Sequence, residues 1–147
     1  MNTEFMMVSN RLRTPDGTIL ESRHRHDYKE YLDANGKTYM LDGGLSYVRS
    51  SLNGDEEHLT VTTSSPHELI REYTLWGTYG KDGNQPLEYK QLKDMDTAHI
   101  QAVLDNVPSI NPAIATAMRA ELVYRESIRF VKIQPRQRVE WLRNLFP

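Results

Sequence analysis

Residues 5–44 read FMMVSNRLRTPDGTILESRHRHDYKEYLDANGKTYMLDGG, and two short turn signatures divide this stretch. Thr14-Pro15-Asp16-Gly17 places proline at the second and glycine at the fourth position of a type I turn. Asp33-Ala34-Asn35-Gly36 ends in Asn-Gly, whose tolerance of positive φ suits a tight hairpin. The segments around them predict four strands: Phe5–Arg13, Thr18–Tyr28, Tyr28–Leu32 and Lys37–Leu41. Two antiparallel hairpins therefore open the chain.

Downstream the pattern becomes helical. Asp42-Gly43-Gly44 is followed by Leu45, Val48 and Leu52 at helical spacing, predicting a short helix that starts near Gly44. A polar, acidic loop at 53–57 leads to one more alternating strand, Leu59–Thr63. Ser65-Pro66, with Glu68 behind it, opens a helix whose apolar positions are Leu69, Ile70, Tyr73 and Trp76. Gly77, Gly80 and Gly83 mark Trp76–Pro86 as a loop, before a short strand at Leu87–Leu92. Asp96 caps a helix with Ile100, Val103 and Leu104 inward, and Asn111-Pro112 starts a longer one carrying Ile114, Met118 and Leu122, with Glu121 beside them. A terminal helix follows Gln134-Pro135, with Val139 and Leu142 expected in the core and Arg136, Arg138 and Arg143 in solvent. Strands first and helices later predict an α+β fold. Residues 1–147 are expected to form one domain, with 1–63 mainly β and 64–147 mainly α.

Composition narrows the chemistry. The 147 residues include no cysteine, which excludes disulfides, thiolate metal sites and cysteine nucleophiles. No stretch has the length and apolarity of a membrane span or a signal-peptide core, so no membrane partner is expected. Residues 1–58 and 59–110 each carry a net charge of −3, and residues 111–147 carry +4. That local excess is modest for a phosphate-binding surface, so no sequence-specific nucleic-acid binding is expected.

The densest chemical cluster is Arg23-His24-Arg25-His26-Asp27. On a strand, His24 and His26 share one face while Arg23, Arg25 and Asp27 share the other. Two imidazoles so placed suit a metal completed by Asp42, general acid–base work, a metal-free ligand site, or simply hydrogen bonds on a sheet face. Asp42-Gly43-Gly44 offers amides and a helix start to an anion, with Arg49 one turn on, or equally a plain strand-to-helix turn. These histidines and the Asp42–Gly44 turn are expected to form one contiguous patch. Gly77 to Gly83 lacks the ending of a phosphate loop and reads instead as a surface loop anchored by Trp76 and carrying Lys81. Neither a Gly-x-Ser-x-Gly elbow nor a Gly-x-Gly-x-x-Gly turn is present.

Two stretches resemble small uncharacterised bacteriophage proteins. ILESRHRHDY…YMLDGGLSYVR (Ile19 to Arg49) resembles the motif I-E-S-x-H-x-H-D-[FY], then V-D-G-G-x-x-Y-x-R. WGTYGKDGNQPLEYKQLKDMDTAHIQAVL (Trp76 to Leu104) resembles W-G-T-x-G-K-D-G-x-x-P-L, then L-K-D-M-x-x-x-H-[IL]. Some relatives of the first motif carry Cys-x-x-Cys pairs about the histidines, as in a zinc ribbon, and this chain has none. The resemblance implies a phage origin and an accessory role in the host cytoplasm. With the residue reading, it leads us to expect a non-enzymatic protein, without cofactor or resident metal, that binds a host protein or a small anionic ligand such as a signalling nucleotide. The expected contacts are Arg23, His24, Arg25, His26, Asp27, Asp42, Gly43 and Gly44, flanked by Trp76 and Lys81. Two alternatives stand beside it: a metal- or histidine-dependent phosphoester hydrolase using His24, His26, Asp27 and Asp42, and a virion or assembly component. Self-association stays open.

Overall fold

The computed structural model describes residues 6–132 and Arg143, and the fold is α+β, with antiparallel strands first and a long helix last. The helix expected after Gln134-Pro135 lies outside the described residues, apart from Arg143, which is exposed. No helix among the described residues is long and apolar enough to cross a membrane.

Both N-terminal hairpins form around their local turn chemistry. Strand β1 (Met7–Arg13) pairs with β2 (Ile19–Ser22), and the Asp16 carboxylate accepts a hydrogen bond from the Thr18 amide at 3.0 Å. Strand β3 (Lys29–Leu32) pairs with β4 (Thr38–Asp42), and Asp33 accepts from the amides of Asn35 at 2.9 Å and Lys37 at 2.8 Å. The second sheet continues with β5 (Arg49–Ser50) on β4. Leu12 and Leu20 of the first hairpin pack with Tyr39 and Leu41 of the second, forming a small core between the sheets.

The helix expected at Gly44 is absent. Gly43 and Gly44 take φ of +98° and +55°, which turn the chain sharply, so that Arg49 and Ser50 return to pair with Asp42 and Leu41. Val48 and Leu52, read as a helix face, are exposed because nothing packs over them. The expected strand Leu59–Thr63 is two short pieces, β6 (Glu57–His58) and β7 (Val61–Thr62), laid in succession along β1, with a register irregularity between Met7 and Ser9 in the β7 pairing.

Helix α1 (His67–Tyr73) ends before Trp76, since Thr74 is already extended. Ser65 does not cap it; the Ser65 hydroxyl accepts the Thr62 amide instead, at 3.0 Å. Trp76 belongs to strand β8 (Leu75–Thr78), which pairs with β9 (Glu88–Gln91), so the glycine-rich segment is a hairpin loop within the helical half. A 3-10 turn (Leu92–Asp94) leads to α2 (Thr97–Asn106) and α3 (Pro112–Lys132). Asn111 starts α3 by accepting the amides of Ala113 at 2.8 Å and Ile114 at 3.3 Å.

The main core joins Val8 and Val61 of the first sheet to Ile70, Leu92, Ile100 and Met118, among others, from the later elements. Leu122 packs at its edge and Ile128 is half-buried. One polar atom inside is unsatisfied: the Thr74 hydroxyl, in a residue 1% exposed, has no hydrogen-bond partner among the described residues. Thr74→Val replaces that hydroxyl by a methyl of similar size, and is expected to stabilise the protein by about 1 kcal/mol in urea unfolding. A loss of stability instead would show that the hydroxyl has a partner in solution.

The helices are clasped by one carboxylate. Glu121 of α3 is fully buried and receives Arg71 Nε at 2.9 Å and Nη2 at 3.0 Å, Arg125 Nε at 2.8 Å, and His67 Nε2 at 2.9 Å. Arg125 also donates to the carbonyls of Leu92 and Met95, tying the 3-10 turn into the same network.

Candidate binding site

Strand β2 stops at Ser22, and the next five residues form a closed turn instead of continuing the sheet. The Asp27 amide donates to the His24 carbonyl at 2.9 Å, and the Asp27 carboxylate accepts the Arg23 amide at 2.8 Å. The second oxygen of Asp27 meets Lys29 Nζ at 3.1 Å. Burial works to raise the Asp27 carboxyl, but the Arg23 amide and Lys29 outweigh it and hold it below the usual aspartate range. Asp27 is thus the staple of the turn. The expected alternation, with both histidines on one strand face, is corrected by this closure. His24, Arg25 and His26 are exposed, and the His26 amide donates to His24 Nδ1 at 3.3 Å.

The Asp42–Gly44 turn lies directly against this one. The Gly44 amide donates to Ser22 Oγ at 2.8 Å, and the same hydroxyl donates to the Asp27 carbonyl at 2.7 Å. Buried Asn10 donates to the Gly44 carbonyl at 2.8 Å. A Cβ built on Gly44 lies 2.5 Å from the carbonyl carbon of His24, so the two backbones touch with no room for a side chain. This corrects the anion cradle expected here: the Gly44 amide is consumed inside the fold, and there is no helix start to add to it. The Asp42 carboxylate pairs with Arg49 at 3.1 Å. Both carboxylates proposed as partners for the histidines are therefore held by cations of the chain itself. Among the described residues, no group of three or more His, Cys, Asp or Glu side chains is placed to hold one metal ion.

Arg23, unlike His24 and His26, lines an open cleft of about 640 Å³ between β2, the α1–β8 junction and β9. Its Nε donates to Glu21 at 2.7 Å, and its guanidinium lies 5.3 Å from the centre of the Tyr89 ring. Burial, then the nearby Asp27 charge, push the Tyr89 hydroxyl above its ordinary range. No family model, curated protein or solved structure matches this chain.

Trp76 is half-buried and packs against the main core, so it anchors the β8–β9 hairpin. Lys81 is exposed and lines a different groove, facing His99 and Ala102 of α2, while Glu88 and Lys90 line both depressions. The structure therefore gathers Arg23, His24, Asp27, Asp42, Gly43 and Gly44 and sets Lys81 apart, on the groove beside α2. Sequence reading missed Asn10 and Ser22, which hold the two turns together. Their one signal was polarity at positions sharing a strand face with apolar residues, Asn10 with Val8 and Leu12 and Ser22 with Leu20.

Proposed function

We propose that the chain is a bacteriophage accessory protein that works in the host cytoplasm by binding a host protein through the Arg23–Asp27 turn. One observation supports this most: the backbone of the turn is fixed by internal hydrogen bonds while the side chains of His24, Arg25 and His26 stand exposed. A rigid turn presenting a guanidinium and two imidazoles loses little conformational entropy on association. The small-anion reading has less support, because the Gly44 amide it relies on serves the fold.

The test is capture from host extract, identification of the retained protein, and reconstitution with the purified partner. His24→Ala/His26→Ala is expected to weaken the reconstituted complex at least about tenfold, a typical effect of removing central interface side chains. Its melting temperature should stay within about 2 °C of the parent, as for exposed substitutions. An unchanged affinity sinks the turn as the contact. Calorimetric binding of a signalling nucleotide by the protein alone, lost in the same variant, makes the ligand a small anion instead.

A further inference from the structure

The cleft into which Arg23 points has a charge pattern that the histidine turn does not share. Four carboxylates line it, from Glu21, Glu72, Glu88 and Asp94, against two cations, Arg23 and Lys90. Glu21 is committed to Arg23. Glu72, Glu88 and Asp94 have no ion pair within 4 Å among the described residues. Asp94 also faces Arg71, whose guanidinium is already taken by Glu121.

Aromatic walls accompany the acids. Tyr73 and Tyr89 both line the cleft, and each already carries a guanidinium of this chain: Arg11 lies 3.7 Å from the Tyr73 ring centre and Arg23 lies 5.3 Å from that of Tyr89. The two arginines differ in a useful way. Arg11 is 9% exposed and hydrogen-bonded to Ser9 and to the Leu59 carbonyl, so it is part of the fold. The Arg23 side chain is 48% exposed and its pair with Glu21 is open to water, so it is held weakly and easily displaced.

We infer that this cleft is a receptor for an arginine side chain of the protein partner, and that Arg23 occupies it until the partner's arginine takes its place. The inference rests on the protein-binding reading above and supplies the chemistry of the partner. Arginine fits better than lysine because its planar guanidinium stacks on tyrosine while its edge engages carboxylates, two demands that a compact ammonium cannot meet together.

The probe is the peptide acetyl-Gly-Arg-Gly-Arg-Gly-amide, titrated into the isotopically labelled full chain at low salt and followed by NMR. Shifts are expected at residues 88–91 and at Tyr73, with weaker binding of the lysine peptide and none of the neutral citrulline peptide. Arg23→Ala removes the resident competitor and is expected to tighten binding by about two- to fivefold, the fold-change for losing one exposed cation–π contact. Glu72→Gln/Glu88→Gln is expected to weaken it by about tenfold, and Tyr89→Leu provides a second variant should the double one misfold. Weaker or unchanged binding in Arg23→Ala overturns the displacement mechanism. Equal affinity for the lysine peptide, or shifts confined to other surfaces, overturns the receptor. The titration uses the protein alone, so a negative result here leaves the reconstituted complex and its His24→Ala/His26→Ala measurement to be judged separately.

Discussion

Glu121→Gln is expected to destabilise the protein by about 3 kcal/mol and to lower its melting temperature by about 10 °C. The carboxylate is wholly buried, and two guanidiniums and an imidazole meet its two oxygens. A carboxamide keeps the volume but offers one acceptor where several donors converge, and turns its own NH2 toward cations. Removing one member of a buried ionic cluster commonly costs about 3–5 kcal/mol. The lower end applies because Arg71 and Arg125 retain side-chain exposures of 25% and 22%, and so can turn partly to water. The loss also carries a pH signature. Burial alone would raise the Glu121 carboxyl, but hydrogen bonds from Arg71, His67 and Arg125 together hold it below its ordinary 4.5. A depressed folded-state value means that ionised Glu121 contributes fully above pH 4.5 and progressively less as the pH falls through the folded-state value. The stability difference between parent and variant, measured by urea unfolding from pH 7 downward, should hold above that point and shrink below it. Other stabilised carboxylates, such as Asp27 and Asp55, are common to both proteins and cancel in the difference. A difference that is flat with pH removes the ionic account of the clasp.

How much of this was legible in the residues depended on the range of the interactions. The Asp33–Gly36 hairpin was readable because its determinants are local: Asp33 accepts amides two and four residues on, and Gly36 supplies the positive φ. Asn111 was readable as a cap for the same reason. The helix expected after Gly44 failed because only Leu45 of the helically spaced set packs on the main core, while Val48 and Leu52 find no apolar surface to cover. Pairing of Arg49 and Ser50 with β4 takes the segment instead. The histidine segment misled by alternation: its closure comes from Asp27 folding back onto the Arg23 amide and from Ser22 bonding across to Gly44, a residue 22 positions away. Glu121 stood out as a charge beside an apolar helix face, yet its partners Arg71 and His67 lie 50 and 54 residues away and no spacing rule connects them. The cleft was invisible for the same reason, since β2, α1 and β9 meet there only in three dimensions.

Gly44→Ala is expected to cost about 3 kcal/mol or more, well beyond what its φ alone accounts for. At φ +55° an alanine pays about 1–2 kcal/mol for the left-handed conformation. The larger part comes from what the methyl meets: backbone atoms of His24 at 2.5 to 2.7 Å, which cannot rotate aside as a side chain does. Relief requires one of the two turns to move. The Gly44 amide is bonded to Ser22 and its carbonyl to Asn10, each at 2.8 Å and buried, so movement exposes or strands groups worth about 1–3 kcal/mol apiece. Gly36→Ala provides the control. Its φ of +80° is equally unsuited to alanine, but nothing lies within 4 Å of the added methyl, so a loss of only about 1 kcal/mol is expected. Urea unfolding of both variants separates conformational strain from close approach, and equal losses would show that the contact between the turns contributes nothing. The same substitution bears on binding, since the turn that presents His24, Arg25 and His26 rests on Gly44. If the turn must be held in place to bind, Gly44→Ala weakens the reconstituted complex even at temperatures where the variant is fully folded, whereas Gly36→Ala leaves it intact.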